Sequence, residues 1–66
     1  MRITLNDRPH ELSDGTTVAA LIDIVAGSSR GRAAVVDGEV VPRSAWPVTQ
    51  LRDGQVVELI TAVQGG

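Results

Sequence analysis

A single amphipathic helix, with strand-patterned segments on both sides, most limits what this chain can become. In SDGTTVAALIDIVAG the residues Val18, Leu21, Ile22 and Val25 recur at i, i+3, i+4 and i+7, which places them on one helical stripe. The stripe needs an apolar cover, and the flanking segments read as strands, so the cover is a sheet. At 66 residues the chain makes one domain, and a chain of this size buries only about 60% of the surface it exposes when unfolded. It has no cysteine, hence no disulfide to add stability. It has no Phe or Tyr and one Trp, so aliphatic side chains must build the core. The helix has end signals: Thr16 or Thr17 as N-cap, Asp14 on the favourable side of the dipole, and Gly27 just past the last turn.

The strand segments are distinct. MRITLN alternates, with Met1, Ile3 and Leu5 on one face and Arg2, Thr4 and Asn6 on the other. NDRP is turn chemistry, and PHEL is a short return strand that Pro9 confines to a sheet edge. After the polar loop GSSRGR, AAVVDGEVV is two apolar runs around Asp37-Gly38, a strong hairpin signal. Pro42 ends the second run. PRSAWPVTQ reads as an irregular helical turn, with Trp46 covering one end of the core. RDG is a further turn, and QVVELITAV is the last and longest strand.

The order is therefore β-β-α-β-β-β. This predicts an α+β domain of the β-grasp (ubiquitin-like) type, a mixed four- to five-stranded sheet packed on one main helix. The first and last strands are expected to lie side by side and parallel, because the helical crossover separates them. Ile3 and Leu5 should point at the helical stripe. If Glu58 faces water, Val57 and Leu59 point inward, and Ile60 and Ala62 point outward with it. In the middle strand Val36 is assigned inward and Val35 outward. The outer face would then carry Val35, Glu58, Ile60 and Ala62, the expected partner-docking face, although scattered surface aliphatics are also ordinary.

Chemistry-bearing side chains are sparse. His10 stands alone on an edge strand and reads as a solvated or packed residue. Glu11 and Asp14 make a poor carboxylate pair, since Asp14 already serves a turn or cap. Ser28-Ser29 beside Arg30 and Arg32 matches neither glycine-rich phosphate-binding pattern. One histidine supports no Ser-His-Asp arrangement, and without cysteine there is no thiol nucleophile and no Cys-ligated metal. No catalytic residue and no metal site is expected, and the chain is not expected to be an enzyme. The six basic residues, all Arg, are dispersed in a net charge of −2, which argues against nucleic acid as a partner. No apolar run has the length of a membrane span and the first residues lack a signal-type apolar region, so a cytoplasmic location is expected.

That leaves TAVQGG. The expected division is a domain over residues 1–63 and a flexible tail over 64–66, in which Gln64 leads to Gly65-Gly66. Glycines pass a narrow channel and accept backbone angles that other residues do not. ITLN, GTTVAALI, VVDGEVVPRSAW and LRDGQVVELITAVQGG together resemble the ThiS family, the sulfur carriers of thiamine biosynthesis, over the whole chain. The resemblance implies that the Gly66 carboxylate is adenylated by a ThiF-like, ATP-dependent activating enzyme and that a sulfur donor, such as a cysteine desulfurase, turns it into a thiocarboxylate. The sulfur would then pass to a ThiG-like thiazole synthase. It also implies that ATP and Mg²⁺ belong to the activating partner and that this chain binds no cofactor. Three other readings compete. A MoaD-like small subunit of molybdopterin synthase would co-purify with its large subunit. A ubiquitin-like modifier would form isopeptide ladders. A plain binding module would survive loss of its last two residues.

Overall fold

The computed structural model describes residues 1–27 and 30–61. The elements run β1 (Arg2–Leu5), β2 (Arg8–Glu11), α1 (Val18–Ala26), β3 (Arg32–Val36), β4 (Glu39–Val41), a 3-10 helix (Arg43–Val48) and β5 (Val56–Thr61). The five strands form one mixed sheet in the order β2-β1-β5-β3-β4. β1 and β5 are parallel neighbours, with Thr4 opposite Val56 and Leu5 opposite Val57. The other pairs are antiparallel. The expected β-grasp order and the central parallel pair are both present, and Pro9 lies on the edge strand β2.

Both hairpins close through two residues. Asn6 and Asp7 have φ of 48° and 70°, and Asp37 and Gly38 have φ of 50° and 83°. Positive φ at both central residues gives the turn whose twist matches that of paired strands, and Asn, Asp and Gly are the residues that tolerate it. Thr17 caps α1, its hydroxyl oxygen accepting from the Ala20 N–H at 3.1 Å. Gly27, at φ 70°, ends the helix, and its N–H donates to the Ile22 carbonyl at 3.2 Å.

The core lies between the inner sheet face and α1. Ile3, Val18, Leu21, Ile22 and Val57 are fully buried; each side chain of this size contributes about 1.5–3 kcal/mol when removed from water. Leu5 and Leu59 point the same way and are half-buried. Val36 is buried and Val35 half-buried, in the order expected. Val25 departs from the expected stripe: it is 39% exposed, and in the last turn of α1 it is Ala26 that packs against the core. The remaining core space is filled from outside the strands and helix, by Leu12 after β2 and Leu51 before β5.

The VPRSAW segment is a cover over one end of this core. Pro42 is extended and has no N–H to continue β4. The 3-10 helix then brings Trp46 inward to 4% exposure, where its indole N–H donates to the Val41 carbonyl at 2.8 Å. The Arg43 guanidinium stands over the ring, 5.2 Å from its centroid. Among the described residues no helix is long and apolar enough to cross a membrane. Ala62, Gln64, Gly65, Gly66 and the expected boundary between residues 63 and 64 lie outside the described residues, as do Ser28 and Ser29.

Candidate functional site

The strand that leads to the C-terminus is the middle one of the sheet. β5 has β1 on one side and β3 on the other, and its ladder with β3 runs from Val36 opposite Val57 to Arg32 opposite Thr61. On the β1 side the pairing is shorter, because β1 turns away at Asn6-Asp7. The Asn6 N–H still donates to the Val57 carbonyl at 2.9 Å. Beyond that point the Asn6 side chain takes over: its Oδ1 accepts from the Leu59 N–H at 2.9 Å, and its Nδ2 donates to the Leu59 carbonyl at 3.3 Å. A carboxamide has one acceptor and one donor end, so it can satisfy both backbone groups of one strand residue. On the other flank Arg32 Nη1 donates to Thr61 Oγ1 at 2.8 Å.

The outer face carries three of the four expected docking residues together. Val35 lies directly opposite Glu58 on one side and Val40 on the other, and Ile60 lies opposite Ala33. Opposed residues share a face, so these side chains form one surface. Ile60 is 51% exposed, Val56 48% and Val40 72%, around the exposed Glu58. Val40 and Val56 were not among the expected residues. The signal that would have found them is the same alternation, followed two residues back from Glu58 along β5 and across the β3–β4 turn.

The remaining candidates do not converge. His10 pairs with Ile3 on β1 and is half-buried. Glu11 is held by Arg2, at 2.8 Å from Nη2 and 2.9 Å from Nε, both side chains exposed, so the pair contributes little. Asp14 lies 3.5 Å from the Met1 ammonium. Among the described residues no group of three or more His, Cys, Asp or Glu side chains is placed to hold a metal. An open cleft of about 390 Å³ lies beside the β3–β4 turn, lined by residues that include Val40, Pro42, Ala45, Thr49 and Gln55. It is at the end where β5 begins, away from the end that leads to Gly66.

A mixed five-stranded sheet on one helix, with the C-terminal strand in its middle, defines a ubiquitin-like β-grasp domain. The ThiS family model matches residues 3–66, and the chain belongs to that family. It is similar to the sulfur carrier protein ThiS of Escherichia coli K12, 29% identical over 66 residues, the full length of both. The crystal structure of a thiamine biosynthesis protein (ThiS) from Geobacter metallireducens is 26% identical, with a TM-score of 0.86 over the whole of both chains. A solution structure of a thiamine biosynthesis protein from the same organism gives a TM-score of 0.81, covering all of this chain and 88% of that one.

Proposed function

We propose that this chain carries sulfur as a thiocarboxylate on Gly66. As a member of the ThiS family it is a sulfur carrier protein of thiamine biosynthesis; the terminal chemistry is the part we infer. The observation that carries it is that the family match runs through residue 66, so it includes Gly65-Gly66. An α-carboxyl group has a pKa of about 3.5, so at neutral pH it is an ionised oxygen nucleophile. Attack on the α-phosphate of ATP releases pyrophosphate and leaves a Gly66 acyl-adenylate. The terminal sulfur of a donor persulfide then displaces AMP to give an acyl disulfide. A second thiol attacks the donor's sulfur, breaking the S–S bond and leaving the Gly66 thiocarboxylate and a donor disulfide. Gln64 and Gly65 form the segment that reaches the partner's site.

The adenylating enzyme, of the ThiF-like kind, supplies ATP, Mg²⁺ and the stabilisation of developing charge. A desulfurase-type donor and a ThiG-like thiazole synthase stand before and after it, and the exchange takes place in the cytoplasm. The outer face around Val35, Glu58 and Ile60, to which the alternation of the sequence adds Ala62, is where the adenylating enzyme docks. What supports this is that β5 holds both the face and the chain leading to Gly66.

Incubation with an adenylating enzyme, ATP and a sulfur donor should raise the intact mass by the difference between one sulfur and one oxygen. Gly66→Ala should lose most of that product while its melting temperature stays that of the unsubstituted chain. Full thiocarboxylate yield from Gly66→Ala would sink the proposal.

A further inference from the structure

We propose that Asn6 and Arg32 are positioning residues, which hold the end of β5 and so set the direction from which the chain continues to Gly66. The inference rests on the reading of Gly66 as the reactive end.

A strand end paired on one side only opens more readily than one paired on both. β5 loses its partner on one side when β1 turns at Asn6. A third hydrogen-bonded residue pair with β1 would need another strand residue there, and the turn leaves none. The Asn6 carboxamide substitutes for it, bonding both the N–H and the carbonyl of Leu59. Two residues further on, Thr61 is the last rung with β3, and Arg32 adds a side-chain bond to its hydroxyl. Side chains therefore hold the last described residues of β5 from both flanks, just where backbone pairing with β1 stops.

Neither bond is needed to fill the core. Asn6 is exposed, Arg32 is half-buried and Thr61 is exposed. What the two bonds do is tie the strand end to the frame. Ile60, on the proposed docking face, alternates with the held residues Leu59 and Thr61. A partner gripping that face therefore receives the terminal segment from a fixed point. A misplacement of about 1 Å at a reacting group can cost about 100-fold in rate, so a fixed origin matters most for the chemical step.

The test uses the full chain with Asn6→Gly, which keeps the positive-φ turn, and Arg32→Met, which keeps the stem but removes the donor. Two readouts are taken: backbone NMR order at residues 57–61, and the steady-state kinetics of adenylation with the carrier as varied substrate. Order should fall at Leu59 to Thr61 and stay unchanged at Val57. The kcat should fall about tenfold or more while KM stays within about twofold. Arg32→Lys, which restores a donor, should recover part of the kcat. A docking-face change, Ile60→Asp, should do the opposite, raising KM and sparing kcat. A purely structural role would lower the melting temperature and leave kcat unmoved. Unchanged order at Leu59 and Thr61 overturns the proposal, as does lowered order with unchanged kcat. If the unsubstituted chain is not adenylated at all, the reading of Gly66 fails, and the order measurement alone decides whether Asn6 and Arg32 hold the strand.

Discussion

The two hairpin turns have the same geometry and opposite stations along β5. Each has two central residues with positive φ, and in each the first uses its side chain to bond the backbone of β5. Asp37 does so at the start of the strand. Its Oδ1 accepts from the Val56 N–H at 2.9 Å, and its Oδ2 from the Gln55 side-chain amide at 3.1 Å. Asn6 does so near the end, at Leu59. The difference lies in what each station leaves unpaired. At Val56 the carbonyl is already served by the Asp37 backbone N–H, at 2.7 Å, so the side chain has only donors to meet. At Leu59 the Asn6 backbone N–H is already given to Val57, so both an N–H and a carbonyl fall to the side chain. A carboxylate only accepts, whereas a carboxamide accepts and donates. The residue type at each turn thus follows from which groups of β5 are left over.

Two substitutions probe how far these stations act separately. The largest effect should come from the middle of the strand they share. Val57 is fully buried between them, and Val57→Ala removes two methyl groups from the core, costing about 2 kcal/mol in denaturant unfolding. Because it weakens the common frame, amide exchange should speed up at both ends of β5; acceleration at one end only would show that the stations are not joined through the core. Next comes the turn at the strand start. Gly38 has φ of +83°, and a Cβ there meets nothing within 4 Å, so the penalty for a side chain is backbone strain alone. Gly38→Val should cost about 1–2 kcal/mol, read as a lower denaturation midpoint with exchange raised near Val56 and not near Leu59.

How much of this was legible in the sequence differs between the two turns. Asp37-Gly38 between apolar runs announces a hairpin, and Asn6-Asp7 between MRITL and RPHEL does so nearly as well. Alternation placed Ile3, Val36 and Val57 inward and Val35, Glu58 and Ile60 on one outer face. These are local signals, read from residues two to four apart. The helical stripe was legible for Val18, Leu21 and Ile22 and failed at Val25, because periodicity says which way a side chain points and not whether anything lies there to cover it. Leu12 was read into the return strand PHEL with no inward face assigned to it, and Leu51 lies outside any patterned segment, so neither was placed in the core. The clamps were invisible for a different reason: Asn6 and Leu59 are 53 positions apart. Nothing near Asn6 in the sequence separates an asparagine that only makes a turn from one that also completes a distant strand. Gly65-Gly66 stood out by composition alone, but its chemistry entered through the family resemblance.

The smallest effects are the sharpest test of the comparison, because they exchange the two side-chain types with little change in shape. Asn6→Asp keeps the acceptor for the Leu59 N–H but replaces the donor to its carbonyl with an oxygen, leaving two acceptors face to face. It should cost about 1 kcal/mol. Asp37→Asn keeps an acceptor for the Val56 N–H and turns its amide nitrogen towards the Gln55 Nε2. Gln55 cannot rotate its amide without loss, since its Oε1 already accepts from the Arg52 N–H at 2.7 Å. The turn is exposed and water can meet the displaced donor, so the cost should be about 0.5 kcal/mol. The two changes also differ in where they act. Exchange should rise at Leu59 in Asn6→Asp and near Val56 in Asp37→Asn, and only the first should lower the rate of adenylation at Gly66. Equal costs, or a slowed adenylation in Asp37→Asn, would mean that the two stations are interchangeable and that the carboxamide at Asn6 has no special part in holding the strand end.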